Sequence, residues 1–308
     1  MLLFTPCSII FFVIYKIYAN HINSRRISWN LDIFMSKYLS GQWRVNINFS
    51  FTSQLMQKSI PKGRKKMYLS DIHTHSIASG HGTDCTISDM AKTASKKGLK
   101  LLGISDHGPG TFASGTSSYF RSLPFCPKKR FGINILYGVE LNILDVEGHI
   151  DLSEELLDKL DYAIISMHRQ NYRSGSVSQN TQAYINAMKH PAVKILGHCD
   201  DTHFPVDYET LAKTALQENV IFEINEASLA PYGYRGDTRL NTARILYYCR
   251  KYNIPIILSS DSHGKEHIGD FTYSAGFVHQ AMFPEALILN NQIPKLKVFL
   301  QTREYIVS

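Results

Sequence analysis

Cysteine is scarce in this chain and badly placed for sulfur chemistry. The 308 residues hold five, Cys7, Cys85, Cys126, Cys199 and Cys249, and no two form a C-x-x-C pair. An odd, scattered set argues against a disulfide framework or a thiolate metal site and reads as free thiols in a reducing compartment, most of them packing residues, Cys199 included. With 11 prolines and 19 glycines the chain is neither collagen-like nor of low complexity. Charged residues make up 19%, too few for a disordered tail or a coiled coil, while 44% hydrophobic residues suffice for a sizeable core. The motifs of several common enzyme classes are missing. There is no G-x-S-x-G elbow, no G-x-x-x-x-G-K-[ST] loop and no G-x-G-x-x-G after the first strand-like run.

Long apolar runs are also lacking. Residues 2–15 are apolar but broken by Thr5, Pro6, Cys7 and Ser8 and ended by Lys16, short of the ~20 residues a helix needs to span a bilayer. No basic residue precedes the run and no A-x-A-like cleavage site follows it, so a secretory signal is poorly supported and at most a weak membrane anchor remains.

The formal charge of +7 and pI of about 9.0 would ordinarily suggest a nucleic acid or a membrane surface as partner. The charge is unevenly spread. Of the 33 Lys and Arg and 26 Asp and Glu, ten and one lie in residues 1–66, which leaves 23 basic against 25 acidic residues for 67–308. A slightly acidic body of −2 therefore follows a basic leader. The division predicts a leader over 1–66 and one catalytic domain over 67–308. Met67 stands directly before the strand-like run MYLSDIH. In a bacterial gene, Lys62-Gly63-Arg64-Lys65-Lys66 can be encoded by purine-rich codons that resemble a ribosome-binding site. Three readings of 1–66 stay open: a stretch upstream of a true start at Met67, a disordered extension, or a weak anchor. The expected location is the cytoplasm, membrane-anchored only if residues 1–20 are translated and insert.

After Met67 short apolar runs alternate with helical patterns. Strands are expected at 67–73, 100–106, 133–140, 162–167, 193–197, 220–225 and 255–260. Most are rich in Ile, Leu and Val with little polar alternation, as strands buried on both faces of a parallel sheet are. Between them, Thr86 is placed to cap a helix with Asp89 at its third position and Gly98 at its end, Asp207 to cap another, and Asp237 or Thr238 a third. Strand and helix in alternation predict parallel strands with crossover helices. Seven strands favour an α/β fold of the closed, barrel-like kind, with an open doubly wound sheet as the alternative.

Such folds place their sites at the C-terminal ends of the strands. Here those ends carry His73 and His75, His107, Glu140, His168, His198, Asn225, and Asp261 with His263. His73/His75 and Asp261/His263 are i, i+2 pairs, which share a face in a strand. A single H-x-H says little, but His, Glu or Asp at six of seven strand ends is a pattern. Several imidazoles with two carboxylates suit zinc, manganese or iron. Asp71 and Asp106, close before ligand candidates, are placed either to orient imidazoles or to cap strand ends. Arg169, beside His168, is a candidate phosphate partner. The cluster Lys128-Lys129-Arg130 reads as a solvated loop.

The order H-x-H-x5-H (His73, His75, His81), SDH (His107), a strand-end Glu140, His168, His198 and a final D-x-H (Asp261, His263) resembles the PHP superfamily, named for polymerase and histidinol phosphatase. DIHTHSIASGHG, GLKLLGISDHGPG, GVELNILDVEGHIDL and ILSSDSH are most similar to its YcdX-type phosphatase branch. The resemblance runs from about Tyr68 to Thr302. It implies a distorted (βα)7 barrel and three divalent metal ions, zinc first and manganese or iron as alternatives. It places the first on His73, His75, Glu140 and Asp261, the second on Glu140, His168 and His198, and the third on His81, His107 and His263. His149, His190, His203, His267 and His279 fall outside the motifs. NTQA at 180–183 matches the branch, but His198-Cys199-Asp200 stands where the branch runs His-Pro-Gly, which alters a loop bordering the cleft.

The implied chemistry is phosphomonoester hydrolysis by a metal-bridging hydroxide that attacks phosphorus, with Glu140 and Asp261 as the carboxylates of the reaction centre and Arg169 on a phosphate oxygen. The partner is then a small phosphorylated molecule, and a homo-oligomer, a trimer by analogy, is implied. Three alternatives remain: a histidinol-phosphate phosphatase, a phosphodiesterase or exonuclease, and a non-catalytic metal-binding module. The acidic body speaks against nucleic acid, because phosphate contacts need Lys and Arg.

Overall fold

The structure is a computed structural model that describes residues 67–302; the readings made for 1–66 lie outside the described residues. Ten strands are described: β1 (Ser70–Asp71), β2 (Thr74–His75), β3 (Leu101–Ile104), β4 (Lys129–Arg130), β5 (Ile133–Asn142), β6 (Tyr162–Ser166), β7 (Val193–Leu196), β8 (Ile221–Asn225), β9 (Ile256–Ser259) and β10 (Ser262–His263). Seven form a nearly closed parallel barrel in the order β1-β3-β5-β6-β7-β8-β9. All seven expected runs are thus strands. The Lys128-Lys129-Arg130 reading is corrected in part: Lys129–Arg130 is a short antiparallel strand against Ile133 and Asn134, because the chain turns straight back into β5. Lys128 pairs with Asp161 at 2.7 Å, and Arg130 donates to Ser88.

Crossover helices cover the barrel, and the caps expected from sequence close them. Thr86 and Asp89 form a reciprocal capping box on the helix Ile87–Lys96, and Gly98 follows it at φ +88. Asp207 accepts from the backbone N–H of Glu209 and Thr210. Thr238 precedes Arg239–Tyr252 without a side-chain cap, and Asp237 pairs with Arg239 instead. Among the described residues no helix is long and apolar enough to cross a membrane.

Strand periodicity separates two cores. One joins the outer faces of the strands to the helices, through residues such as Leu102, Val139, Ile165, Phe222 and Leu258. The other is made of the alternate residues, Ile72, Leu101, Tyr162, Ile164, Ile195, Ile221 and Ile257, with Leu296, Phe299 and Leu300 of the helix Ile293–Thr302. Tyr162 spans this second core, its hydroxyl donating to the carbonyl of Ile72. It fits because Gly103 has no Cβ: one there would stand 2.2 Å from the Tyr162 hydroxyl.

Between β9 and β1 the ladder is replaced by one side chain. Asn290 donates to the carbonyls of Ser70 (3.0 Å) and Leu258 (2.7 Å) and accepts from the Leu258 N–H at 2.9 Å. Above this seam β2 and β10 pair in parallel, with His75 opposite His263. The seam therefore brings the second and the last histidines of the pattern, His75 and His263, side by side.

Candidate metal centre

The inward rows change character as the strands rise. Leu136 and Gly138 of β5 lead to Glu140, Ile221 of β8 leads to Glu223 and Asn225, and Ile164 of β6 leads to Ser166. Glu140 is fully buried and central. Its Oε1 lies 2.8 Å from His198 Nε2 and 3.4 Å from His168 Nε2. Its Oε2 lies 2.7 Å from His107 Nδ1, 3.4 Å from His73 Nε2 and 3.6 Å from His75 Nε2. Asp261 faces the same centre, its Oδ1 3.1 Å from His75 Nε2. His263 stacks on His75 with ring centroids 4.2 Å apart. His81 lies at the rim, its ring 5.0 Å from His107 and 4.9 Å from His263. It reaches there because the loop crosses His263 at Gly82, where a Cβ would lie 2.9 Å from the imidazole.

All nine residues expected to bind metal gather at this one end of the barrel. Within 4.8 Å the ligand atoms form three sets among the described residues: His73, His75 and Glu140; His107, Glu140 and His168; and His75, His107 and His263. This partition differs from the one the resemblance implies, since His81, His198 and Asp261 stand just outside these sets.

Whether the residues fit metal ions is tested by their unmet polar atoms. His73 Nε2, His75 Nε2, His107 Nδ1, Glu140 Oε2, His198 Nδ1 and His263 Nε2 are buried without a hydrogen bond of acceptable geometry. Buried polar atoms are ordinarily paired, and an orphan costs about 1–3 kcal/mol. Five of them, all but His198 Nδ1, whose ring turns Nε2 to Glu140 instead, stand together around Glu140, a donor set that suits divalent cations. The backbone carries strain here as well: His198 and Asp261 are non-glycine residues with positive φ, +22 and +54.

The far sides of the rings are held. His73 Nδ1 lies 2.6 Å from Glu223 Oε1, His168 Nδ1 2.7 Å from Asn142 Oδ1, and His75 Nδ1 2.9 Å from Ser79 Oγ, whose hydroxyl donates to Asp106. Asp106 thus orients His75 through a serine. Asp71 touches no imidazole; it accepts from the backbone N–H of Ser260 and Gly269, tying the loop after β9 to β1. Burial pushes its carboxyl up to about 6.

Electrostatics sort the rings. Burial disfavours a proton on His75, and His263 and His107 add to this, so it is held well below the usual imidazole range. His81 and His263 are lowered, chiefly by burial, with His107 contributing in each case. Such rings are neutral and offer lone pairs. Burial would raise Glu140, but His73, His168 and His107 outweigh it and hold its carboxyl well below the usual range.

A cavity of about 240 Å³ opens over the cluster, lined by His81, His107, His168 and His198 and by Arg169, Tyr234 and Arg235. Arg169 is exposed at its mouth. Arg235, Glu223 and Asn142 are site residues that the sequence reading did not select. Glu223 carried a signal: it lies two residues before the strand-end Asn225, on the same inward row. Arg235 comes from the loop after β8 and carries no periodic signal. Of the remaining histidines, His149 pairs with Asp145 and His203 with Asp201, while His267 stacks on Tyr232. Among the described residues the cysteines are free, and Cys199 packs in the outer core, its thiol pushed up by burial.

A parallel barrel with a histidine–carboxylate cluster at the C-terminal ends of its strands is the architecture of a metal-binding site. The chain belongs to the PHP domain family, whose match covers residues 71–227. It is 37% identical over 236 residues to a Clostridium botulinum protein named "Probable phosphatase", covering 77% of this chain and 96% of that one. It is 38% identical over 244 residues to a Caldanaerobacter subterraneus protein of the same description, covering 79% and 95%. Among solved structures, histidinol phosphate phosphatase from Lactococcus lactis, in complex with zinc, L-histidinol and phosphate, aligns with a TM-score of 0.47 at 15% identity, over 71% of this chain and 95% of that one.

Proposed function

We propose that the protein hydrolyses phosphomonoesters of small molecules with divalent metal ions held by the nine residues gathered around Glu140. The observation that carries this reading is the cluster of orphaned, inward-facing ligand atoms beneath a cavity with two arginines in its wall. The phosphatase names of the relatives support it. Zinc is the ion proposed, in three sites, with His73, His75, Glu140 and Asp261, then Glu140, His168 and His198, then His81, His107 and His263. Bound there, divalent ions supply acidified water near neutral pH and charge neutralisation at phosphoryl oxygens.

The chain's own residues do the rest. Glu140 turns one oxygen to His198 and His168 and the other to His107, His73 and His75, the disposition of a bridging carboxylate. Glu223 fixes His73 with Nε2 facing inward, and Asn142 does the same for His168. Arg169 stands at the mouth, where a guanidinium can grip a phosphate oxygen of an entering dianion. The small cavity favours a compact leaving group. The acidic body supplies no extended basic surface for a nucleic acid.

The test is metal quantification with an activity panel. Purified protein should contain zinc, manganese or iron and turn over an aryl phosphate, lose both on chelation, and recover both on reloading. Histidinol phosphate and single-stranded DNA in the same panel separate the neighbouring activities. Turnover unaffected by chelation, or confined to DNA, would overturn the reading.

A further inference from the structure

Behind Asp261 runs a line of polar side chains that lies outside the nine ligands. The two oxygens of Asp261 face different ways. Oδ1 points to His75 Nε2 at 3.1 Å, whereas Oδ2 accepts from Arg235 Nη2 at 2.8 Å and from Asn225 Nδ2 at 3.2 Å. Arg235 is only 2% exposed, and its Nη1 donates to Ser228 Oγ at 3.4 Å. Ser228 Oγ donates in turn to Asp200 Oδ1 at 3.0 Å, and Thr242 Oγ1 donates to Asp200 Oδ2 at 2.9 Å. Asp200, also 2% exposed, stands on the loop leaving β7, Ser228 on the short helix Glu226–Leu229 after β8, and Thr242 on the helix Arg239–Tyr252 before β9. One buried carboxylate therefore ties together the elements around Arg235.

Two consequences follow from elementary chemistry. A hydroxyl has one proton. With the Ser228 proton given to Asp200, a lone pair of Ser228 is left facing Arg235 and shares in holding the guanidinium, beside Asn225 Oδ1 at 3.4 Å and the Tyr234 hydroxyl at 3.2 Å. A buried cation also needs compensating charge. If Asp261 alone supplied it, Arg235 would draw on the same carboxylate that a metal ion needs; Asp200 provides a second anion.

We propose that Asp200 is a positioning residue for the metal centre: through Ser228 and Arg235 it holds Asp261 with Oδ1 turned to the ion and its charge available to it. The proposal rests on the ligand role given to Asp261 above. It is tested with the full chain and the variants D200N, S228A and D200N/S228A, by zinc titration against a chromophoric chelator, with apo-protein melting followed by circular dichroism. Each single variant should weaken one bound zinc by about tenfold and leave the other ions unmoved, in the range typical for groups that orient ligands. The double variant should be no weaker than the weaker single, because both act along one line. A folded D200N with wild-type zinc affinity, or singles whose effects add, would overturn the proposal. So would a lowered apo melting temperature with unchanged zinc affinity, the outcome of a purely structural role. If D200N does not fold, S228A decides, and wild-type affinity there overturns it. Wild-type zinc binding without turnover of aryl phosphate would remove the proposed activity and leave the role of Asp200 standing.

Discussion

The lower half of the barrel interior is filled by Ile72, Leu101, Ile164, Ile195, Ile221 and Ile257. The same inward rows end, two to four residues further along, in Glu140, Ser166, Glu223, Asn225 and Ser259, all buried. The lower half has the composition of a stable core, largely aliphatic and packed against Leu296, Phe299 and Leu300 of the helix Ile293–Thr302. The upper half has unpaired imidazole nitrogens, buried carboxylates and two strained backbones. The difference shows that one scaffold divides its work along the strand axis. The lower rows supply the stability, and the upper rows forgo some of it to hold unmet ligand atoms in place.

The sharpest way to break this comparison is to remove a ligand. Asp261→Ala or His73→Ala should lose metal, and the proposed phosphomonoesterase activity should fall by several orders of magnitude while the fold persists, because water then loses its activation. Apo-protein melting and turnover of an aryl phosphate, measured together, check this; unfolding in step with activity would show that the upper half carries stability after all. A smaller effect is expected one step back. Glu223→Gln should weaken metal binding by about 10–100-fold through a loosened His73, as read by chelator competition, with less loss of activity at saturating metal than Asp261→Ala.

The reverse experiment belongs to the lower rows. Ile257→Ala should cost about 2–5 kcal/mol of unfolding free energy, the range for truncating a buried aliphatic side chain. Zinc affinity and turnover below the new melting temperature should stay as in the wild type. A loss of zinc affinity in that variant would mean that the two halves are coupled.

The comparison also explains what could be read from sequence. The seven barrel strands were legible because both faces are buried, which leaves long Ile, Leu and Val runs. Eight of the nine ligand candidates were legible because strand ends are points where apolar runs stop, and His, Glu or Asp there stands out; His81, in the loop after His75, was reached only through the family resemblance. Strands β2 and β10, two residues each, have no period to detect; they exist because the seam at Asn290 brings distant segments together. Arg235 belongs to the same class. It stands ten residues past Asn225 in an irregular loop, and only the fold places its guanidinium against Asp261. Glu223 was within reach of the parity argument, but an acid inside VIFEI reads as strand interior until its neighbours are known.

The smallest effect lies outside both halves, where the helices meet. Glu209 accepts from Lys251 at 2.9 Å and from the Tyr252 hydroxyl at 2.8 Å, joining the helices Tyr208–Glu218 and Arg239–Tyr252. Hydrogen bonds from Lys251, Tyr252 and Lys213 pull its carboxyl from the usual 4.5 down to about 2. A folded-state value below the unfolded one means stabilisation that is present above pH 4.5 and is lost as the pH falls through about 2. The group is solvent-screened, so the effect is small. Glu209→Gln should melt slightly below the wild type at pH 7, and the gap should close as the pH approaches 2. Turnover and zinc affinity should not move. A gap that is independent of pH would show that Glu209 acts through packing and not through its charge, and a change in zinc affinity would extend the upper half's influence to the helical surface.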